Sequence, residues 1–231
     1  MMNSRTILML KEENLKLYQN KKIAIFGVGG VGGYVLEGLV RSGFLSIDIY
    51  DFDKVDISNL NRQIISTIDN VGMVKVAVAK NRALSINPNL VINEYNMFID
   101  ENNIDEVDFS QYDFVVDAID TVTSKLLIIK KCKELDIPVI SSMGTGNKLD
   151  PSKLLITDIT KTSICPLAKI VRKKCRDLGI KHLTVLTSTE EPIKTHTRNP
   201  GSMIFVPASA GLMIASYILK FFIGDSYEKD C

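Results

Sequence analysis

The sequence predicts an α/β fold, a mostly parallel sheet with helices on both faces. Three observations predict it. From Lys22 onward, short apolar runs of strand length alternate with longer segments of helical period. The first run opens into a cluster of glycines, "FGVGGVGGYVLEGL". Later runs end in acids, Asp51 with Asp53 and Asp117 with Asp120. Strands alternating with helices imply βαβ units with right-handed crossovers.

Each element has its own signal. "KKIAIFG" is a short apolar run closed by glycine, which predicts a buried strand over 22–26. "GYVLEGLVRSG" places Val35, Leu36, Leu39 and Val40 at helical spacing and stops at Gly43. "LSIDIYDFD" is a second strand. "KVAVAKNRALSINP" is a helix that ends before Pro88, and "LVINEYN" a third strand. "YDFVVDAID" is a fourth strand, "TSKLLIIKKCKELD" a helix and "IPVISSMG" a fifth strand. After Gly146 the alternation fades. "KLLITDITKT" (153–162) reads as a strand, "CPLAKIVRKKCRDLG" as an amphipathic helix and 188–202 as a polar loop that moves. In such sheets ligands bind beyond the carboxyl ends of the strands. The glycine loop, the two acid pairs and Ser141–Gly146 all fall there.

The segment "SMIFVPASAGLMIASYILKFFIG" (202–224) carries one charge, Lys220. It has about the ~20 residues of a membrane span. A helix entered at Pro207 and running to Ile223 is short for that purpose, and Ala208, Ser209, Ala210, Gly211 and Ala215 suit close packing. The expectation is a buried C-terminal helix or a dimer face, with membrane association disfavoured. Basic and acidic residues balance, 28 against 27, so only a local patch argues for nucleic acid. The four cysteines form no CxxC pair, and the N-terminus has no apolar core of signal-peptide length. The expected setting is the reduced cytoplasm.

Gly27-x-Gly29-x-x-Gly32 fits a Rossmann-like nucleotide loop. The first glycine permits a tight turn, the second lets phosphate approach, and the third lets helix pack on strand. Gly30 adds backbone freedom beside them. Asp51, after the second strand, can hold ribose hydroxyls, so an NAD-binding oxidoreductase is a fair first reading. It leaves the next motif idle. "DFDKVDISNLNRQ" puts Asn59, Asn61, Arg62 and Gln63 just past the ribose site, and Lys75 follows in "VGMVK". Two cations near one nucleotide suit a triphosphate, because they stabilise charge that develops in phosphoryl or nucleotidyl transfer. Lys75 also begins a helix, where a cation is poorly placed unless an anion lies nearby. In "DAIDTVTSK", Asp120 can hold Mg²⁺ against phosphates, or Asp120 or Thr121 can cap the helix.

Taken in order, "GVGGVGG", "DFDKVDISNLNRQ", "GMVK" and "VVDAIDTVTSK" resemble the ubiquitin-activating-enzyme-like adenylyltransferases, which include the molybdopterin- and thiamine-pathway activators. "SRTILMLKEENLKLYQNKKIAIFG", "NRQI" and "DPSKLLITDITKT" resemble the branch that dehydrates threonylcarbamoyladenosine in tRNA, over about residues 4–224. The resemblance implies a single ATP-binding domain over 1–231, with a nucleotide-binding core at 20–146 and a C-terminal extension at 147–231. It implies a homodimer that uses ATP and Mg²⁺ to adenylate a threonine carboxylate and then closes a ring. Modified tRNA would be the substrate, and a sulfur-relay protein is a candidate partner.

By the same resemblance Gly29 contacts nucleotide, Asp51 ribose, and Asn59, Arg62 and Lys75 the phosphates. Asp120 is the metal-associated acid, and Arg5 reaches the partner subunit's ATP. The alternative within the family is activation of the C-terminus of a ubiquitin-like or sulfur-carrier protein. The zinc cysteine pairs common in that branch are missing here. A nucleotide-sensing module without turnover is a further alternative. Cys165 reads as a packing residue. Lys169, Arg172, Lys173 and Arg176 form a basic helical stripe opposite Leu167, Ile170, Val171 and Leu178, which suits a phosphate backbone or a solvated face. His182 and His196 receive no role.

Overall fold

The computed structural model describes residues 3–195 and 200–224. Its elements in chain order are α1 (Ser4–Tyr18), β1 (Lys22–Phe26), α2 (Gly32–Ser42), β2 (Ser46–Tyr50), α3 (Lys75–Ile86) and β3 (Val91–Tyr95). They continue as β4 (Phe114–Asp117), α4 (Val122–Glu134), β5 (Val139–Ser142), β6 (Leu154–Asp158), α5 (Pro166–Asp177), β7 (Thr184–Ser188) and α6 (Phe205–Ile223). One seven-stranded sheet runs in the order β3-β2-β1-β4-β5-β7-β6, with only the β6–β7 pair antiparallel.

Side chains alternate across that sheet with a period of two. Ile23 and Ile25 of β1 join a core with α2, α3 and α6, while Ala24 and Phe26 join a second core with α4 and α5. The predicted α/β architecture with helices on both faces is the one observed. Two elements lie outside the sequence reading. The helix α1 precedes the alternation and breaks at Lys11, whose φ is 62°. The strand β7 falls mostly in residues the sequence reading left unassigned, ahead of the 188–202 loop, and "TVLTS" is almost wholly buried and pairs with both β5 and β6. So the chain after Gly146 extends the same sheet. The 188–202 segment runs without regular structure after Ser188 as far as Thr195, and residues 196–199, His196 among them, lie outside the described residues.

The C-terminal helix packs one face against the rest of the fold. Among the described residues it is the one helix long and apolar enough to cross a bilayer. Its inner face is nonetheless core: Val206, Ala210, Gly211, Ile214, Ala215, Ile218 and Ile223 are buried. A fully buried aliphatic side chain contributes roughly 1.5–3 kcal/mol. The helix packs on α2 at backbone distance. A Cβ added at Gly211 would lie 2.5 Å from the Val31 carbonyl oxygen, and one at Gly38 would lie 2.7 Å from the Ala215 Cβ. Gly211→Ala should therefore destabilise the protein by about 1–3 kcal/mol, because backbone and not a side-chain tip must move. A urea unfolding midpoint unchanged from the parent protein would refute this account of the α2–α6 contact.

Candidate functional site

The carboxyl ends of β2, β1, β4 and β5 open into one cavity of about 590 Å³. Gly27, Gly29, Gly30, Asp51, Asn59, Arg62, Gln63, Lys75 and Asp120 all line it. Residues far apart in sequence meet there because parallel strands all present their C-terminal ends to one edge.

The loop after β1 divides the glycine roles as its spacing suggested. Gly27 has φ of +87°, a conformation that side chains rarely adopt. A Cβ at Gly32, the first residue of α2, would sit 1.8 Å from the Gly27 carbonyl oxygen just past β1, so its absence lets the helix start pack close on the strand end. It lies beneath the cavity and does not line it. Gly29 has only the Gln63 amide nitrogen near its missing Cβ, at 3.6 Å, which leaves its backbone open to the cavity.

The Asp51 carboxylate is tethered at both oxygens, since Val28 N–H donates at 2.8 Å and Asp53 N–H at 2.9 Å. Burial pushes its pKa up, against the Lys75 charge and these two donors. Lys75 is the first residue of α3 and is buried, with its ammonium 2.7 Å from the Asp53 carboxylate. The anion that a cation at this position requires is thus supplied by the chain itself, and its identity was missed. The signal was present in the alternate acids of "DFD".

Asn59 is buried and accepts from Asp56 N–H at 3.1 Å, closing a short turn. That turn carries Arg62, whose guanidinium donates to the Ser58 carbonyl at 2.7 Å and to Asn61 Oδ1 at 2.9 Å. Gln63 is 7% exposed, and its Oε1 has no partner among the described residues. A buried amide oxygen so left is costly unless something entering the cavity meets it. The cavity thus offers open loop backbone, a tethered acid, two cations and an unmet polar atom. That set fits a nucleotide, with the loop backbone and the cations suited to its phosphates and the acceptor oxygens to its hydroxyl and amine groups.

Asp120 is exposed at the cavity wall. Its side chain is not a recorded helix cap. Thr121 occupies the N-cap position of α4 without a side-chain cap bond, and it does not line the cavity. Asp117 and Ser141, which the sequence reading placed at the site, lie below it. There the Lys125 ammonium is 2.8 Å from Asp117 Oδ2, and the Ser141 hydroxyl donates to the same oxygen at 2.6 Å. Both charged side chains are fully buried, so this pair ties β4, α4 and β5 together as a support for the Ile119–Asp120 turn. Arg5 is exposed on α1 and does not line the cavity of its own chain.

The far wall holds Met143 and Thr145, from the Ser141–Gly146 stretch expected at this edge, and Asn147 and Lys148, which the sequence reading left unassigned. Cys165 lies there too. It is 1% exposed and packs in the core, as a packing residue would. Away from the cavity, Lys169, Arg172, Lys173 and Arg176 line a separate groove with Lys181. The buried seam of α5 is Ala168, Val171 and Cys175, whereas Ile170 and Leu178 are exposed. His182 has a partner after all, since its Nδ1 lies 3.3 Å from Asp158 Oδ2.

Comparison with known proteins converges on one group. The family model described as the ThiF family matches residues 3–230. The tRNA threonylcarbamoyladenosine dehydratase of Bacillus subtilis is 38% identical, with 96% of this chain and 94% of that protein covered. The dehydratase of the same name from Escherichia coli is 35% identical over 73% of this chain and 63% of its own length. The crystal structure of E. coli tRNA N6-threonylcarbamoyladenosine dehydratase in complex with ATP superposes with a TM-score of 0.90 at 30% identity, covering 97% of this chain and 95% of that one. E. coli MccB, 20% identical with a TM-score of 0.71, shares the fold.

Proposed function

The chain belongs to the ThiF family, and on that premise we propose that it is an ATP-dependent enzyme that dehydrates threonylcarbamoyladenosine in tRNA. One observation carries the reading. Gly29, Asp51, Arg62, Lys75 and Asp120 converge on a single cavity in a chain similar over nearly its whole length to dehydratases of that name. The proposed unit is a single ATP-binding domain.

In this reading Asp51 accepts from the ribose hydroxyls, and the Gly29–Gly30 backbone and Asn59 approach the phosphates. Gln63 presents its amide to the nucleotide. Arg62 and Lys75 hold the β- and γ-phosphates. Asp120 is the protein ligand for Mg²⁺, which needs few carboxylates when phosphates supply its other oxygens. The bound metal would neutralise charge on the phosphates.

The threonine carboxylate attacks the α-phosphorus of ATP, and pyrophosphate leaves with the electron pair of the broken P–O bond. The carbamoyl oxygen then attacks the activated carbonyl carbon. AMP departs with the C–O electron pair, and the carbamoyl N–H proton is lost to solvent. The substrate has lost one water, and ATP has become AMP and pyrophosphate. A carboxylate is a poor electrophile, so adenylation supplies the leaving group that ring closure needs. No covalent nucleophile from the protein is required.

Two surface features support the proposed partners. Lys169, Lys173, Arg176 and Lys181 are exposed around their groove, a sequence-blind seat for tRNA phosphates. A homodimer fits the exposed apolar residues Leu8, Met9 and Leu212, and it would let Arg5 act on the partner subunit's cavity. We place the protein in the cytoplasm, where ATP and tRNA meet.

Nucleoside mass spectrometry after incubation with ATP, Mg²⁺ and modified tRNA tests the reading. The expected result is loss of about 18 mass units from the modified adenosine, dependent on ATP and abolished by a chelator. An unchanged mass, with pyrophosphate exchange only when a protein ending in Gly-Gly is added, would move the assignment to the small-protein activators.

A further inference from the structure

The cavity spans four strand ends, and none of the nucleotide residues named above follows the last of them, β5. Asp51 and Lys75 follow β2, while the loop 143–148 follows β5. The strands β1 and β4 stand between, so the two walls are roughly 14 Å apart at the usual strand spacing. Along the β5 wall Lys148 is, among the described residues, the one charged side chain that lines the cavity.

Lys148 is only 3% exposed. Its ammonium donates to the Gly144 carbonyl at 3.1 Å, and among the described residues no carboxylate pairs with it. The acid whose charge acts on it, Glu190, is occupied elsewhere: its two oxygens accept from Leu149 N–H at 2.9 Å and Asp150 N–H at 3.0 Å. Burial lowers the Lys148 pKa, and the charge of Glu190 only partly opposes that. A lysine so enclosed, with donors to spare, is costly unless an anion reaches it. The surrounding loop is held in place. Asn147 N–H donates to the Gly201 carbonyl at 2.7 Å, and Ile193 N–H donates to the Asn147 carbonyl at 2.7 Å.

We propose that Lys148 receives the carboxylate of the substrate at the β5 end of the cavity and aims it at the nucleotide. The assignment rests on the activity proposed above. Lys148 would pair with the carboxylate before adenylation and would let it go as the acyl phosphate forms, since the reacting oxygen then loses its charge. The wall chemistry also bears on which substrate fits. One buried cation among apolar and amide groups suits a small carboxylate on a flexible arm, such as a threonyl group.

The test compares two RNA stem-loops, one carrying threonylcarbamoyladenosine and one carrying its threoninamide analogue. Binding of each is measured without ATP. The native protein should favour the carboxylate by about ten- to hundredfold, the usual worth of a hydrogen bond to a charged group. Lys148→Met should erase that preference while ATP affinity stays within about twofold, and Lys148→Arg should keep part of it. A preference that persists in Lys148→Met, with native protein that dehydrates the RNA, overturns the role of Lys148 alone. Lost ATP binding in Lys148→Met also overturns it, because the residue would then support the fold. Native protein that does not dehydrate the RNA overturns the function and this inference together.

Discussion

Lys75→Ala and Arg62→Ala are each expected to lower turnover by about three orders of magnitude or more while the protein stays folded. Cations that meet the charge developing on a transferred phosphoryl group are worth that much. The fold should tolerate the loss of Lys75, although its side chain is only 7% exposed, because its partner Asp53 is 47% exposed and keeps its water. Arg62 bonds only to neighbours within its own turn, so its removal unties no distant element. Steady-state kinetics with thermal unfolding separate the two effects. Full activity in either variant would sink the phosphate assignment. Mixed dimers of Lys75→Ala and Arg5→Ala chains should regain one working site, as long as Arg5 acts across the subunit boundary. Failure of folded mixed dimers to recover would confine Arg5 to its own surface.

Lys125→Met should cost about 3–5 kcal/mol, the largest stability effect expected in this chain. The loss comes from Asp117, which would remain fully buried with its counter-ion gone. Adding Asp117→Asn should return most of the loss, since the amide keeps an acceptor for Ser141 and needs no cation. The pH dependence has a definite sign. Burial already pushes the Asp117 carboxyl upward, while Lys125 and Ser141 hold it back. Without Lys125 its folded-state pKa rises further above the unfolded value. The carboxyl then favours the fold fully only below the unfolded pKa, and that support is lost as pH rises through the folded pKa. The stability gap between the variant and the native protein should therefore be smaller near pH 4.5 than near pH 7.5. A gap that widens on acidification would mean that Asp117 is not the group left unpaired.

Much of the site was legible because it rests on local chemistry. The glycines, the acid after the second strand and the Asn-Leu-Asn-Arg-Gln run each state a conformational or electrostatic need in a few residues. Burial was harder to read. Asp117 and Asp120 look alike in "DAID", yet one is sealed against Lys125 and the other faces the cavity. Their difference lies in which side of the sheet edge each side chain leaves. Nor does "GNKLD" announce Lys148. A lysine on a polar loop reads as a surface charge until the 190–193 and 200–202 segments close over it.

Sequence alone determined the alternation of strand and helix, the nucleotide loop and the charges suited to a triphosphate. Those properties follow from periodicity and from residue types at short range. Tertiary structure decided the rest. It made "TVLTS" a strand between β5 and β6, set α6 against α2, gave Lys75 its anion and turned Lys148 inward. Each of these outcomes depends on which distant backbone supplies the hydrogen bonds and which surface removes the water. Neither is written in the neighbouring residues.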